Sequence, residues 1–246
     1  GLWRCVLGVA EYPYRWEVQR RNHHYDNGKL EIYRVGVPVI SVGNITMGGT
    51  GKTPMVEWLA RWFRDHDVRV CLISRGYGAE EGSRNDEALE LEQKLPDVPH
   101  VQNPDRIAAA KMAIEEFDSQ LIILDDAFQH RRIHRDLNIV LIDAIEPFGY
   151  DHVFPRGTLR EPLAGISRAN IVALTRADMT DAGGRFHIRG EVEKYHPGVP
   201  WVELIHAPQT LLSASGQQNP VRSLFQRPVA AFSGIGNPAG FRHTIE

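Results

Sequence analysis

Residues 37–54 read VPVISVGNITMGGTGKTP, and this stretch decides the fold. Val37–Val42 is an apolar, β-branched run of the kind that forms a buried strand. It leads into Gly43 and a glycine-rich segment ending Gly51-Lys52-Thr53. A helix is expected next, over Thr53–Asp65, with Met55, Trp58, Leu59 and Trp62 at helical spacing. Strand, glycine-rich loop and helix in that order make a phosphate-binding loop. The glycines let backbone N–H groups wrap an anion, a lysine adds charge, a threonine hydroxyl reaches Mg²⁺, and the helix N-terminus contributes its dipole. The strict spacing places an outer glycine at 46, where this chain has Thr46, so the loop is the GGxGKT variant. Gly48, Gly49, Thr50, Gly51, Lys52 and Thr53 are the candidate nucleotide-binding residues. Lys52 is also a catalytic candidate and Thr53 a metal ligand. A ligand-free glycine turn would show the same glycines, but the flanking strand and helix favour phosphate.

Working outward, four more runs read as strands buried on both faces: Val68–Ser74, Gln120–Leu124, Asn138–Ile142 and Asn170–Leu174. A helix is expected over Pro104–Phe117, opened by its proline. Strands alternating with helices predict a doubly wound, mostly parallel α/β sheet of P-loop type, with ligands at the carboxyl ends of the strands. Ile122-Ile123-Leu124-Asp125-Asp126 places Asp125 and Asp126 at such an end, either as Mg²⁺ ligands in the manner of a Walker B strand or as turn residues. The following basic stretch, 127–136, is expected to make some phosphate contact, and Ser74-Arg75-Gly76-Tyr77-Gly78 opens at the same edge. Past residue 183, Gly and Pro punctuate the chain around one strand-like run, Trp201–Ile205. A fresh strand, Pro228–Ser233, then begins a new unit. The expected organisation is a nucleotide-binding domain with its N-terminal segment over 1–199, a linker hairpin over 200–227, and the start of a second, smaller α/β domain over 228–246, as in a fragment of a longer protein.

Composition narrows the function. The 246 residues carry 28 Lys and Arg against 31 Asp and Glu, a net charge of −3, which leaves no general nucleic-acid footprint. Cys5 and Cys71 are the only cysteines, so neither a disulfide framework nor a zinc site is expected, and a reducing cytoplasm fits. The longest early apolar run, residues 6–10, stops at Pro13 and is far short of a membrane span. The N-terminus is rich in aromatic and basic residues, among them Trp3, Tyr12, Tyr14, Trp16, Arg15 and Arg20. Two readings stay open for it: a helix packed on its own domain, or a segment lying against an anionic membrane surface.

Taken together, VGNITMGGTGKTP (42–54), SRGYG (74–78), NDE (85–87), DDAFQHRRIHRD (125–136), LREP (159–162) and SGIGNP (233–238) resemble the tetraacyldisaccharide 4′-kinases of lipid A synthesis. The motifs stand in that family's order along nearly the whole chain. The resemblance implies a phosphotransferase with an alcohol acceptor, moving the γ-phosphoryl of ATP to the 4′-hydroxyl of an acylated glucosamine disaccharide 1-phosphate, with Mg²⁺. It implies a cytoplasmic protein, peripheral on the inner membrane, that meets lipid through its N-terminal segment. It makes Asp86 the base, paired with a histidine beyond the SGIGNP helix, adds Arg75 to the catalytic set, and gives Asp125, Asp126 and Glu161 to the metal and nucleotide. Asn85 and Ala88 stand where the family has Gly and Pro. The alternative is a regulatory or metal-delivery P-loop NTPase, in which Thr175-Arg176-Ala177-Asp178 would be a degenerate guanine-reading loop; Arg176, where such loops carry Lys, argues against it.

Overall fold

The structure is a computed structural model that describes residues 2–76, 86–234 and 238–245. A 25-residue helix α1 (Leu2–Asp26) precedes β1 (Val39–Asn44), α2 (Lys52–Arg64), β2 (Val70–Ser74), α3 (Asp86–Lys94), β3 (His100–Gln102) and α4 (Arg106–Phe117). Then come β4 (Leu121–Asp125), β5 (Leu137–Asp143), β6 (Ile171–Thr175), α5 (Ala182–Glu193) and β7 (Trp201–Glu203). An antiparallel pair, β8 (Thr210–Leu212) and β9 (Gln218–Pro220), and a last helix α6 (Pro238–Ile245) follow.

The first seven strands form one sheet in the order β3-β2-β4-β1-β5-β6-β7, every pairing parallel. Parallel strands need crossover connections that cover both faces, and β4 shows the result. Leu121 and Ile123 pack with Val56 and Leu59 of α2 and Leu91 of α3, whereas Ile122 and Leu124 pack with Ile107, Ala110 and Ala113 of α4. Each such fully buried side chain contributes roughly 1.5–3 kcal/mol of hydrophobic stabilisation. The chain leaves β4 on one side of β1 and returns as β5 on the other. The crevice at this reversal, above the carboxyl end of β1, is where α/β sheets bind ligands.

Several expectations shift at their edges. β1 extends through Gly43 and Asn44, which were read as loop, because they pair with Val140 and Leu141 of β5. The edge strand β3 went unread, being only three residues long. Asp105 caps α4, its carboxylate accepting from the N–H groups of Ile107 and Ala108, so Pro104 lies outside the helix. α1 continues past Pro13. Proline inside a helix costs about 3 kcal/mol, and the contacts of the helix's inner residues, Glu11, Tyr14 and Val18, offset it. Residues 228–233 form no strand. Val229 and Phe232 are exposed there, and an apolar run without a neighbouring strand has nothing to bond to.

Candidate active site

The loop after β1 is held from three sides. Asn44, fully buried, donates from Nδ2 to Thr50 Oγ1 at 2.9 Å. Thr175 Oγ1, at the end of β6, donates to the Thr50 carbonyl at 3.0 Å. Arg176 Nη2 donates to the Gly49 carbonyl at 2.9 Å while its Nη1 pairs with Asp143 at the end of β5. Gly48 and Gly51 have φ of 113° and 83°, backbone states that favour glycine, and Gly51 caps α2. Thr46, standing for the outer glycine, pairs with Leu159 instead, and the Met47 N–H donates to the Thr158 carbonyl. The loop therefore presents its later N–H groups and the start of α2 at the sheet's carboxyl edge, where an anion is favoured.

Across from it, β4 delivers Asp125, buried, and Asp126, whose φ of 51° turns its side chain back toward the loop. Asp126 Oδ1 lies 3.8 Å from Lys52 Nζ and accepts from Arg160 Nη1 at 2.6 Å. Lys52 and Asp126, 74 positions apart, thus face each other where phosphate would enter between them. Arg106, buried on α4, lies in the field of both aspartates; burial first, and then the charge of Arg75, lowers its pKa. Arg75 itself is exposed just past β2.

The basic stretch after Asp126 is turned largely into the protein. Arg135 Nη1 donates to the carbonyls of Ala127, Phe128 and His130, and burial lowers its pKa to about 10. Arg131 pairs with Asp26 of α1 at 2.6 Å and lies over Tyr25, and Arg132 lies over Tyr33 and reaches Asp105. His130, buried among Arg106, Arg135 and Arg132, has its pKa pushed down to about 4 and stays neutral. These partners make the stretch a brace for the site more than a phosphate clamp.

Glu161 is 1 % exposed. Its Oε2 accepts from Arg168 Nη2 at 2.6 Å and Asn22 Nδ2 at 3.1 Å, and its Oε1 from Gln129 Nε2 at 3.0 Å. A cleft of about 700 Å³ opens beside it, between α1 and the 162–168 turn, lined by Trp16, Arg20, His23, Ser167 and Arg168 among others. Asp86 opens α3, but its side chain, like residues 77–85, lies outside the described residues. Arg160, Gln129 and Asn44 all sit inside the quoted motifs, but no local pattern in the sequence gives them a role.

Thr53, Asp125 and Asp126 form an all-oxygen set that suits Mg²⁺, a cation held by one or two carboxylates together with substrate phosphates.

A family model described as tetraacyldisaccharide-1-P 4′-kinase matches residues 3–246. A tetraacyldisaccharide 4′-kinase of Anaeromyxobacter sp. (strain K) is 37% identical over 98% of this chain and 68% of its own length. One from Elusimicrobium minutum is 36% identical over 90% of this chain and 64% of its own. The chain thus spans about two-thirds of these relatives. Among solved structures, the "apo" form of LpxK from Aquifex aeolicus in complex with ATP matches with a TM-score of 0.79 and 34% identity, covering 99% of this chain and 78% of that one.

Proposed function

Since the chain belongs to the tetraacyldisaccharide-1-P 4′-kinase family, we propose that it transfers the γ-phosphoryl group of ATP to the 4′-hydroxyl of an acylated glucosamine disaccharide 1-phosphate. The observation that carries this reading is the Lys52–Asp126 pair at the mouth of the phosphate-binding loop. Phosphoryl transfer asks for positioning and charge neutralisation more than covalent chemistry. Lys52 leaves Asp126 for the β- and γ-phosphates, the loop N–H groups hold their oxygens, and Arg75 adds positive charge at the same edge. Thr53, Asp125 and Asp126 would hold Mg²⁺, which would supply neutralisation of the phosphate charge during transfer. Glu161, which the resemblance also gives to the metal, already accepts from three protein donors. Asp86, at the start of α3, takes the acceptor proton. The guanine-reading NTPase is not favoured: Arg176 is spent on Gly49 and Asp143, and Asp178 is bound to His243 Nε2 at 2.9 Å.

No described helix is long and apolar enough to cross a membrane. We place the protein on the cytoplasmic face of the inner membrane through α1, whose Val6, Val9, Tyr12 and Trp16 are exposed on its outer side. The test is phosphoryl transfer from ATP, against GTP, to the acylated disaccharide phosphate. Asp86→Asn should lower kcat by roughly 10²–10⁴-fold and leave ATP affinity nearly intact. A kcat within a few-fold of the parent removes Asp86 as base, and no transfer to any acylated disaccharide by the parent removes the kinase reading.

A further inference from the structure

The helix proposed to meet lipid is wired to the nucleotide loop through one buried carboxylate. Asn22 of α1 donates to Glu161; Gln129 Nε2 donates both to Glu161, at 3.0 Å, and to the Asn44 carbonyl, at 2.8 Å; and Asn44 donates to Thr50 in the loop. Two glycines make close contacts along this series of bonds. A Cβ on Gly165 would lie 2.4 Å from Glu161 Oε2, and one on Gly43 would lie 2.7 Å from Phe128 Cβ. Arg168, the third partner of Glu161, lies over the Phe128 ring at 4.6 Å. One residue before Glu161, the Arg160 carbonyl accepts from Tyr14 of α1 while the Arg160 guanidinium holds Asp126.

We infer that Glu161 is a positioning residue, a strut through which α1 holds Gln129, Asn44 and hence Thr50 in the arrangement that receives ATP. The inference rests on the ATP-kinase reading. Buried carboxylates accepting several charge-assisted hydrogen bonds hold their donors in one geometry, and a side chain that donates to two acceptors at once transmits a shift of either. Asn22 touches neither phosphate nor metal in this scheme, and its side chain bonds to Glu161, so an effect of Asn22→Ala on ATP that is shared with Gln129→Ala runs through that carboxylate.

ATP affinity of the intact chain, read by calorimetry at several Mg²⁺ concentrations, tests this in Asn22→Ala, Gln129→Ala, their double variant and Glu161→Gln, with thermal unfolding followed alongside. Each single variant should stay folded and bind ATP roughly three- to ten-fold more weakly, in line with the net loss of one supporting hydrogen bond. The double variant should be no more than about two-fold worse than the worse single, because both act through one carboxylate. Fully multiplying losses, or single variants silent in a parent that binds ATP, overturn the strut. A raised Mg²⁺ requirement in Glu161→Gln with Asn22→Ala silent gives Glu161 to the metal and overturns it too. A parent that binds no ATP sinks the kinase reading and the strut with it.

Discussion

At the scale of single residues, the site depends on charges brought face to face and on glycines where no side chain fits. Lys52 sits in a sheltered position 3.8 Å from Asp126, and in the proposed reaction its ammonium takes the γ-phosphate as partner. Lys52→Ala should therefore abolish the rise in melting temperature that MgATP gives the parent, since a ligand stabilises only the native state it binds; equal thermal shifts in both would contradict this. Lys52 and Thr53 were legible in the sequence because their neighbours along the chain define the loop. Arg160 and Gln129 were not singled out, because their roles rest on partners, Asp126 at 2.6 Å and Asn44 at 2.8 Å, that only folding brings near.

Among the elements, α1 shows most clearly what periodicity can and cannot tell. Its inner side carries Glu11, Tyr14, Val18 and Asn22, and its outer side Val9, Tyr12 and Trp16, which are 72%, 74% and 63% exposed. The first reading of the N-terminus holds for the inner face, which packs on the domain. The outer face offers apolar and aromatic surface flanked by Arg20, whose guanidinium lies over Trp16 at 5.5 Å, and this is the surface the proposed membrane contact would use. Replacing Val9, Tyr12 and Trp16 together by Ser should weaken binding to vesicles containing anionic lipid several-fold while leaving the melting temperature nearly unchanged. Unchanged sedimentation with such vesicles would take the membrane role from α1.

At the scale of the whole molecule, His130, which several elements surround, is expected to make stability depend on acid. Burial first, then Arg106 of α4 with Arg135 and Arg132, hold its pKa at about 4 against an ordinary 6.5, with Asp105 opposing. Between those values the unfolded chain binds a proton that the folded chain refuses, so stability should fall as pH drops from about 6.5 to about 4. One proton limits this contribution to about 1.4 kcal/mol per pH unit. His130→Gln cannot charge, and denaturant unfolding across this range should show a flatter fall than the parent; parallel curves would refute the assignment.

What the sequence by itself determined was the set of local units: five buried strands, the phosphate-binding loop with its helix, and the acids at a strand end, because continuous apolar runs and glycine chemistry act over a few neighbouring residues. It also contained the family's motifs in order. The tertiary structure decided the rest. It carried β1 two residues into its loop through pairing with β5, took α1 past Pro13 by packing, and left 228–233 without a strand for want of a partner. It bonded Arg131 and Arg135, within the basic stretch 127–136 expected to make some phosphate contact, to groups of the protein itself, and it gathered Asn22, Gln129 and Arg168 around Glu161. The physical reason is common to all of these. Hydrogen bonds and ion pairs between residues tens of positions apart depend on which faces the core brings together, and no local pattern encodes that distance.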